Sequence, residues 1–153
     1  MRFYDPDAFA PDISIGYLTR RVQQLSGTLL EPVFEAEGLT GTQWSVLVSI
    51  WFGRGLTAAE LARDLGHDKG AMTRLVDALE ERGWVTRARA PGDRRRIDLA
   101  LTEEGAAVAL RTKLKVAECW NGWLTDWSRD DADMLVTLLR KLRDTLATVE
   151  ARA

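Results

Sequence analysis

Leu18, Val22, Leu25, Leu29 and Val33 recur three or four positions apart, which lays one apolar stripe along a helix in the opening third of the chain. Pro32 falls inside that stripe and has no amide hydrogen to donate, so it predicts a kink or an early break. Thr40 and Gln43 have the hydroxyl-then-amide spacing of a capping box, which opens a second helix from about Gly41 to Phe52 that Gly53-Arg54-Gly55 ends. Thr57 and Glu60 repeat the device and open a short third helix. In it Leu61 and Leu65 face inward, Ala62 is small enough for close packing, and Gly66 suits a tight turn. Asp68 then caps a fourth helix with Met72, Leu75, Val76 and Leu79 inward and Lys69, Thr73, Arg74 and Asp77 outward. Two helices joined in this way predict a helix-turn-helix.

After Gly83 the period drops to two. Ile97, Leu99 and Leu101 alternate with Arg96, Asp98 and Ala100, so this segment reads as a strand, with Trp84 to Ala88 as its partner and Ala90-Pro91-Gly92-Asp93 as the turn between them. Thr102 caps a fifth helix that carries Glu103 and Glu104 in its first turn, followed by Leu110, Leu114, Ala117, Leu124 and Trp127 at helical spacing. Ser128-Arg129-Asp130-Asp131 marks a break and a fresh start. The last helix runs to about Val149 with Leu135, Leu138, Leu142, Leu146 and Val149 in one stripe. The expected fold is mainly α with a small β-hairpin wing on a helix-turn-helix.

Composition narrows the chemistry. With 153 residues, 46% hydrophobic and 29% charged, the chain is long enough to build a core without cross-links. Cys119 and His67 are the single cysteine and the single histidine, so a disulfide framework, a zinc site and a histidine-based catalytic triad all lack their parts. No cofactor or metal is expected, and the enzyme class is disfavoured. The opening Met1-Arg2-Phe3-Tyr4 lacks a signal-peptide pattern, and no stretch approaches the ~20 apolar residues of a membrane span, so the cytoplasm is the expected compartment, with no membrane partner.

A net charge of -2 argues against a nucleic-acid partner until position is considered. Between Arg82 and Arg96 lie six arginines and one acid, Asp93, a local net charge of +5. The six tryptophans, at 44, 51, 84, 120, 123 and 127, read as core or interface filling.

Two stretches resemble a known family. Met72-Thr-Arg-Leu-Val-Asp-Ala-Leu-Glu-Glu-Arg-Gly-Trp-Val85 is similar to the recognition helix and strand entry of the MarR (multiple-antibiotic-resistance regulator) family, and Asp93-Arg-Arg-Arg-Ile-Asp-Leu-Ala-Leu-Thr102 matches its wing pattern. Leu39-Thr40 and Gln43-Trp44 extend the likeness ahead of them. The resemblance implies a homodimeric regulator of transcription, usually a repressor, that binds a pseudo-palindromic double-stranded DNA operator and is released by a small ligand. Residues 1-38 and 103-153 then form a helical dimerisation region and residues 39-102 the winged helix-turn-helix. Independently, the terminal helices carry apolar faces too wide for a compact monomer of this size to cover easily. Packing of those faces on each other within the chain is the alternative.

On this reading Lys69, Thr73 and Arg74 meet the major groove, while Arg94, Arg95 and Arg96 serve the wing. Asp93, a poor DNA ligand, is expected to orient an arginine, with Arg95 the family-matched partner. Thr40, Thr42 and Thr57 lie at helix starts that can hold phosphates. Arg87 and Arg89 read equally as solvated strand residues without partners. An effector site is expected where the first, second and fifth helices meet, with Tyr17, Arg21, Trp44, Trp51 and Trp120 as candidates for a small aromatic or amphipathic acid. His67 reads as a turn residue. Two other functions stay open: a winged-helix protein-protein interaction module, and a thiol-based redox-responsive regulator through Cys119.

Overall fold

The computed structural model describes residues 3–5, 7, 9–53, 56–90 and 92–152, with the side chain of Arg94 outside that description. The elements run α1 (Ile15–Ala36), α2 (Gly41–Trp51), α3 (Ala58–Asp64), α4 (Lys69–Glu81), β1 (Val85–Ala90), β2 (Asp93–Leu101), α5 (Glu103–Trp123) and α6 (Arg129–Glu150), with a 3-10 turn at Pro11–Ile13 ahead of α1. They form two compact units, Met1–Val116 and Ala117–Ala153, with the boundary inside α5.

Local chemistry sets most of the helix starts. Thr40 accepts from the Gln43 amide while Gln43 accepts from the Thr40 amide, and Thr57 and Glu60 do the same, so both expected capping boxes are formed. Asp68 caps α4 by accepting from the Ala71 amide at 2.9 Å, Thr102 accepts from the Gly105 amide at 3.0 Å, and Ser128 accepts from the Asp131 amide at 3.1 Å. Between α3 and α4 the chain turns at Gly66, and the His67 amide donates to the Ala62 carbonyl at 2.8 Å. His67 is the exposed turn residue its position suggests.

Pro32 does not break α1. The helix continues through it to Ala36, at the cost of the one bond its missing amide leaves unmade. Leu30 and Phe34 on either side are buried, and Phe34 lies against the Trp44 ring at 6.2 Å, so packing on α2 holds the last turn.

Val46, Leu47, Leu61, Met72, Val76 and Leu79 are fully buried or nearly so, which makes α2, α3 and α4 one layered core closed by Val85 and Leu99 of the hairpin. Strands β1 and β2 are antiparallel, with Val85 opposite Leu101 and Arg89 opposite Ile97, before the register shifts at Ala90, which faces Asp93. The strands are longer at the tip than the alternation predicts, because Ala90 and Asp93 are ladder residues. Pro91 of the expected turn and Arg54 and Gly55 of the expected α2 stop lie outside the described residues. Ile97 departs from the expected pattern: it is 49% exposed and lines an open cleft beside Ala58 of α3 and Thr73 of α4. The unit 117–153 comprises the end of α5 and all of α6, and within α5 Trp120 is edge-on to Trp123 at 5.1 Å.

Candidate nucleic-acid interface

The α4 helix buries Met72, Val76 and Leu79 and leaves Lys69, Thr73, Arg74 and Asp77 in solvent, the division its sequence period predicts. The Thr73 hydroxyl donates to the Lys69 carbonyl at 2.9 Å, so it offers an incoming ligand only its oxygen lone pair and its methyl group. Arg74 folds back toward the start of its own helix, with Nη1 close to Gly70.

Beside this face stands the hairpin, tied to α3 and α4 by charge. Arg96 donates to Asp98 at 2.6 Å and reaches Glu60 at 3.4 Å. Glu60 has two tasks: its Oε2 accepts from the Leu56 and Thr57 amides at 2.9 and 3.0 Å while its Oε1 faces Arg96. One residue further along β2, the Leu99 amide donates to the Leu56 carbonyl at 2.7 Å. From β1, Arg87 grips Asp77 at 2.6 Å and also bonds Glu80. Burial pulls the Arg87 pKa down, but the bonds to Asp77 and Glu80 outweigh it and hold the value above that of ordinary arginine. The bond to Asp98 does the same for Arg96, aided by the charges of Asp98 and Glu60.

These pairs revise the local charge. Arg87 and Arg96 are each matched by two carboxylates, so Arg87 is not the solvated, partnerless strand residue that was one reading of it. Arg89 and Arg95 are exposed and, among the described residues, have no carboxylate within ion-pair distance. Asp93 does meet Arg95, but through the backbone: its Oδ1 accepts from the Arg95 amide at 2.9 Å, so it shapes the hairpin tip rather than aiming the guanidinium. Thr57, Thr73, Arg87, Arg95 and Arg96 line one open cleft of about 290 Å³ between α3, α4 and the hairpin. Thr57 sits in that cleft, yet the start of its helix is already filled by the Glu60 carboxylate. Thr40 caps α2 in the same manner, and Thr42 is half-buried in its first turn.

The five effector candidates are less unified. Tyr17 is 45% exposed, Arg21 donates to Gln24 at 2.8 Å, Trp44 packs on Phe34, and Trp51 stacks on Phe52 with Lys113 5.8 Å from its ring. Arg21, Trp44 and Trp51 each have a partner outside this set. Trp120 belongs to the second unit, as does the half-buried Cys119.

Sequence reasoning passed over Glu60, Asp77 and Glu80 as partners of the hairpin. The capping-box spacing marks Glu60, but nothing local signals that Arg96, far along the chain, closes on it.

The MarR family profile matches residues 37–96, from the end of α1 to the hairpin. The multiple antibiotic resistance protein MarR of Escherichia coli is 34% identical over 137 residues, which span 89% of this chain and 95% of that protein. A cysteine-to-serine mutant of E. coli MarR complexed with operator DNA superposes with a TM-score of 0.71 at 32% identity, covering 89% of this chain and 98% of that one. The PcaV transcriptional regulator of Streptomyces coelicolor, in complex with its natural ligand, gives a TM-score of 0.72 at 28% identity over 90% of this chain and 96% of its own. With a helix-turn-helix, a charged hairpin and identity of this extent across nearly the whole length, the chain belongs to the MarR family.

Proposed function

We propose that the chain is a homodimeric transcription repressor of the cytoplasm that binds a pseudo-palindromic operator, with α4 in the major groove and the β1–β2 hairpin in the adjacent minor groove. The observation that carries this reading is the joint placement of Lys69, Thr73 and Arg74 on the solvent face of α4 beside a hairpin whose Arg95 is free to meet phosphate. Arg74 and Lys69 reach base edges or flanking phosphates, and Thr73 accepts from an exocyclic amine or packs on a thymine methyl group. Arg95 enters the negative potential of a narrow groove, with Arg94 assigned the same task from its place in β2. Arg96 contributes indirectly, holding the hairpin to Glu60.

Residues 1-38 and 103-153 supply the dimer contacts and residues 39-102 the DNA-binding lobe in this reading. Ile15, Leu18, Val22, Leu25 and Leu29 of α1 are each 41–56% exposed, an apolar face that a second copy covers. Among the described residues no helix is long and apolar enough to cross a membrane, and no group of three or more His, Cys, Asp or Glu is placed to hold a metal ion. The proposal includes no catalysis. The PcaV complex supports a small-molecule effector here too, with Tyr17, Arg21, Trp44, Trp51 and Trp120 as first candidates for an aromatic or amphipathic acid.

A mobility-shift titration against the intergenic DNA beside the gene tests the reading. Two half-sites about one helical turn, ~34–36 Å, apart should be protected, and affinity should fall with salt at a log-log slope of roughly -0.9 per phosphate neutralised. Equal affinity for scrambled duplex overturns it.

A further inference from the structure

The DNA-facing surface leaves one polar cluster without a task, at the turn between α1 and α2. There the chain holds two elements with adjacent residues. The Glu37 carboxylate, only 10% exposed, receives Lys115 Nζ at 2.7 Å and Arg111 Nε at 3.3 Å, both from α5. The Lys115 bond, against the opposing effect of burial and with Arg111 assisting, keeps the Glu37 pKa below the ordinary glutamate value. The next residue, Gly38, turns its carbonyl the other way and accepts from Arg82 Nη1 at 2.6 Å. Arg82 is the C-cap of α4. Its guanidinium carbon also lies 3.6 Å from the centre of the buried Trp84 ring, so the side chain is held on two sides.

The turn is built for this approach. Gly38 has φ +67°, and a Cβ there would stand 3.0 Å from Arg82 Nη2, so a side chain would be strained by the backbone and pressed against the guanidinium. A charge-assisted bond to a main-chain carbonyl is short, directional and indifferent to side-chain motion at the acceptor. The distal end of α4 is therefore fixed to the end of α1, and the end of α1 is fixed by its neighbouring residue to α5.

We propose that Glu37-Gly38 is a joint that sets the pose of α4 relative to α1 and α5, and that Arg82 is a positioning residue for DNA recognition rather than a DNA contact. The inference rests on the DNA-binding reading above. If α1 and α5 carry the dimer contacts, the joint determines how far apart the two recognition helices stand, and hence which half-site spacing the dimer accepts. Loosening it lets each lobe adapt, so discrimination between spacings falls while the phosphates contacted stay the same.

The experiment uses the full chain and a duplex selected by it from a random pool, prepared also with one base pair inserted at, or deleted from, its centre. Wild type should bind the selected spacing best. Arg82→Ala and Glu37→Gln should each reduce the ratio between selected and altered spacing by about 2- to 30-fold, with the salt slope unchanged. Arg82→Lys, which keeps a cationic donor for the Gly38 carbonyl, should restore most of the ratio. Circular dichroism checks folding, and Glu37→Gln, nearly isosteric, decides the matter if Arg82→Ala does not fold. A wild-type spacing profile in folded variants overturns the joint. So does equal loss at every spacing with a shallower salt slope, which would make Arg82 a phosphate contact. A wild-type chain that selects no duplex overturns both the joint and the reading beneath it.

Discussion

The Arg87 guanidinium on β1 donates to the Asp77 carboxylate on α4 at 2.6 Å, and Glu80, on the next turn of the same helix, takes its other nitrogen. Both acids lie on a helix assigned to DNA, so a cation between them cancels charge that would repel phosphate and also fixes the root of the hairpin. Arg87→Met keeps the apolar stem and removes the bonds, leaving two carboxylates facing an apolar group. Stability should fall by about 1 kcal/mol, since the pair is only partly screened from water. Urea unfolding measures this, and unchanged stability with a shallower DNA salt slope would instead make Arg87 a phosphate ligand.

Arg95 and Arg96 are neighbours in β2 with different expected phenotypes. Arg95→Ala should weaken binding to every sequence and reduce the magnitude of the salt slope by roughly 0.9 for each phosphate lost. Arg96→Ala removes the bridge to Asp98 and Glu60, so it should leave that slope nearly intact and increase the mobility of the hairpin. Titrations at several salt concentrations, with amide exchange across residues 93–101, separate the two. Identical behaviour of the two variants would contradict the assignment.

What was legible in the sequence follows distance along the chain. Thr40 with Gln43, Thr57 with Glu60, and Asp68 with the Ala71 amide act over three residues, so their spacing alone announces them. The outward set Lys69, Thr73 and Arg74 was legible for the same reason, as a matter of helical period. Arg87 with Asp77 and Arg96 with Glu60 depend on how β1 and β2 return to α3 and α4, and no local pattern encodes that return. Pro32 misled because helix propensity weighs one missing bond, whereas the fold weighs the packing of Leu30 and Phe34 around it. The aromatic rings of Tyr17, Trp44, Trp51 and Trp120 and the guanidinium of Arg21 report chemistry without reporting a cavity.

Gly105 allows the start of α5 to touch the strand entry. A Cβ at this position would stand 2.0 Å from the Trp84 carbonyl oxygen, a backbone atom that also accepts from the Thr102 amide at 3.1 Å and has little freedom to move. Gly105→Ala gains a helix-favouring residue but overpacks this contact, which should cost about 1–3 kcal/mol or more. Thermal unfolding is the measurement. A neutral or stabilising effect would show that α5 shifts away without penalty.

Acid should loosen the Glu37 cluster. The folded-state pKa of Glu37 is depressed by Lys115, against burial and with help from Arg111, so its contribution is present above the ordinary value near pH 4.5 and is lost as pH falls through the lower folded value. Glu37→Gln cannot titrate. The stability difference between wild type and Glu37→Gln should therefore be constant around neutrality and shrink below about pH 4.5. Denaturant titrations at a series of pH values give the curve directly, and a difference that grows with acidity would have the wrong sign for a depressed carboxylate.

The apolar face of α1 bears on assembly. Val22, Leu25 and Leu29 are 52–56% exposed on a helix whose other side is polar, and each would gain roughly 1 kcal/mol or more from burying its remaining surface against a second copy. Leu25→Glu places a charge in the middle of that face, where an unpaired carboxylate would have to be desolvated for the dimer to form. Leu25 is not among the buried core residues, so the variant should keep its helical circular dichroism while its sedimentation shifts from dimer to monomer. Operator affinity should fall with it, by as much as about 10²–10⁴, because the two half-sites are no longer bound by one tethered pair of lobes. A Leu25→Glu protein that still sediments as a dimer and binds the operator as wild type does would remove α1 from the interface and leave its exposed stripe without this explanation.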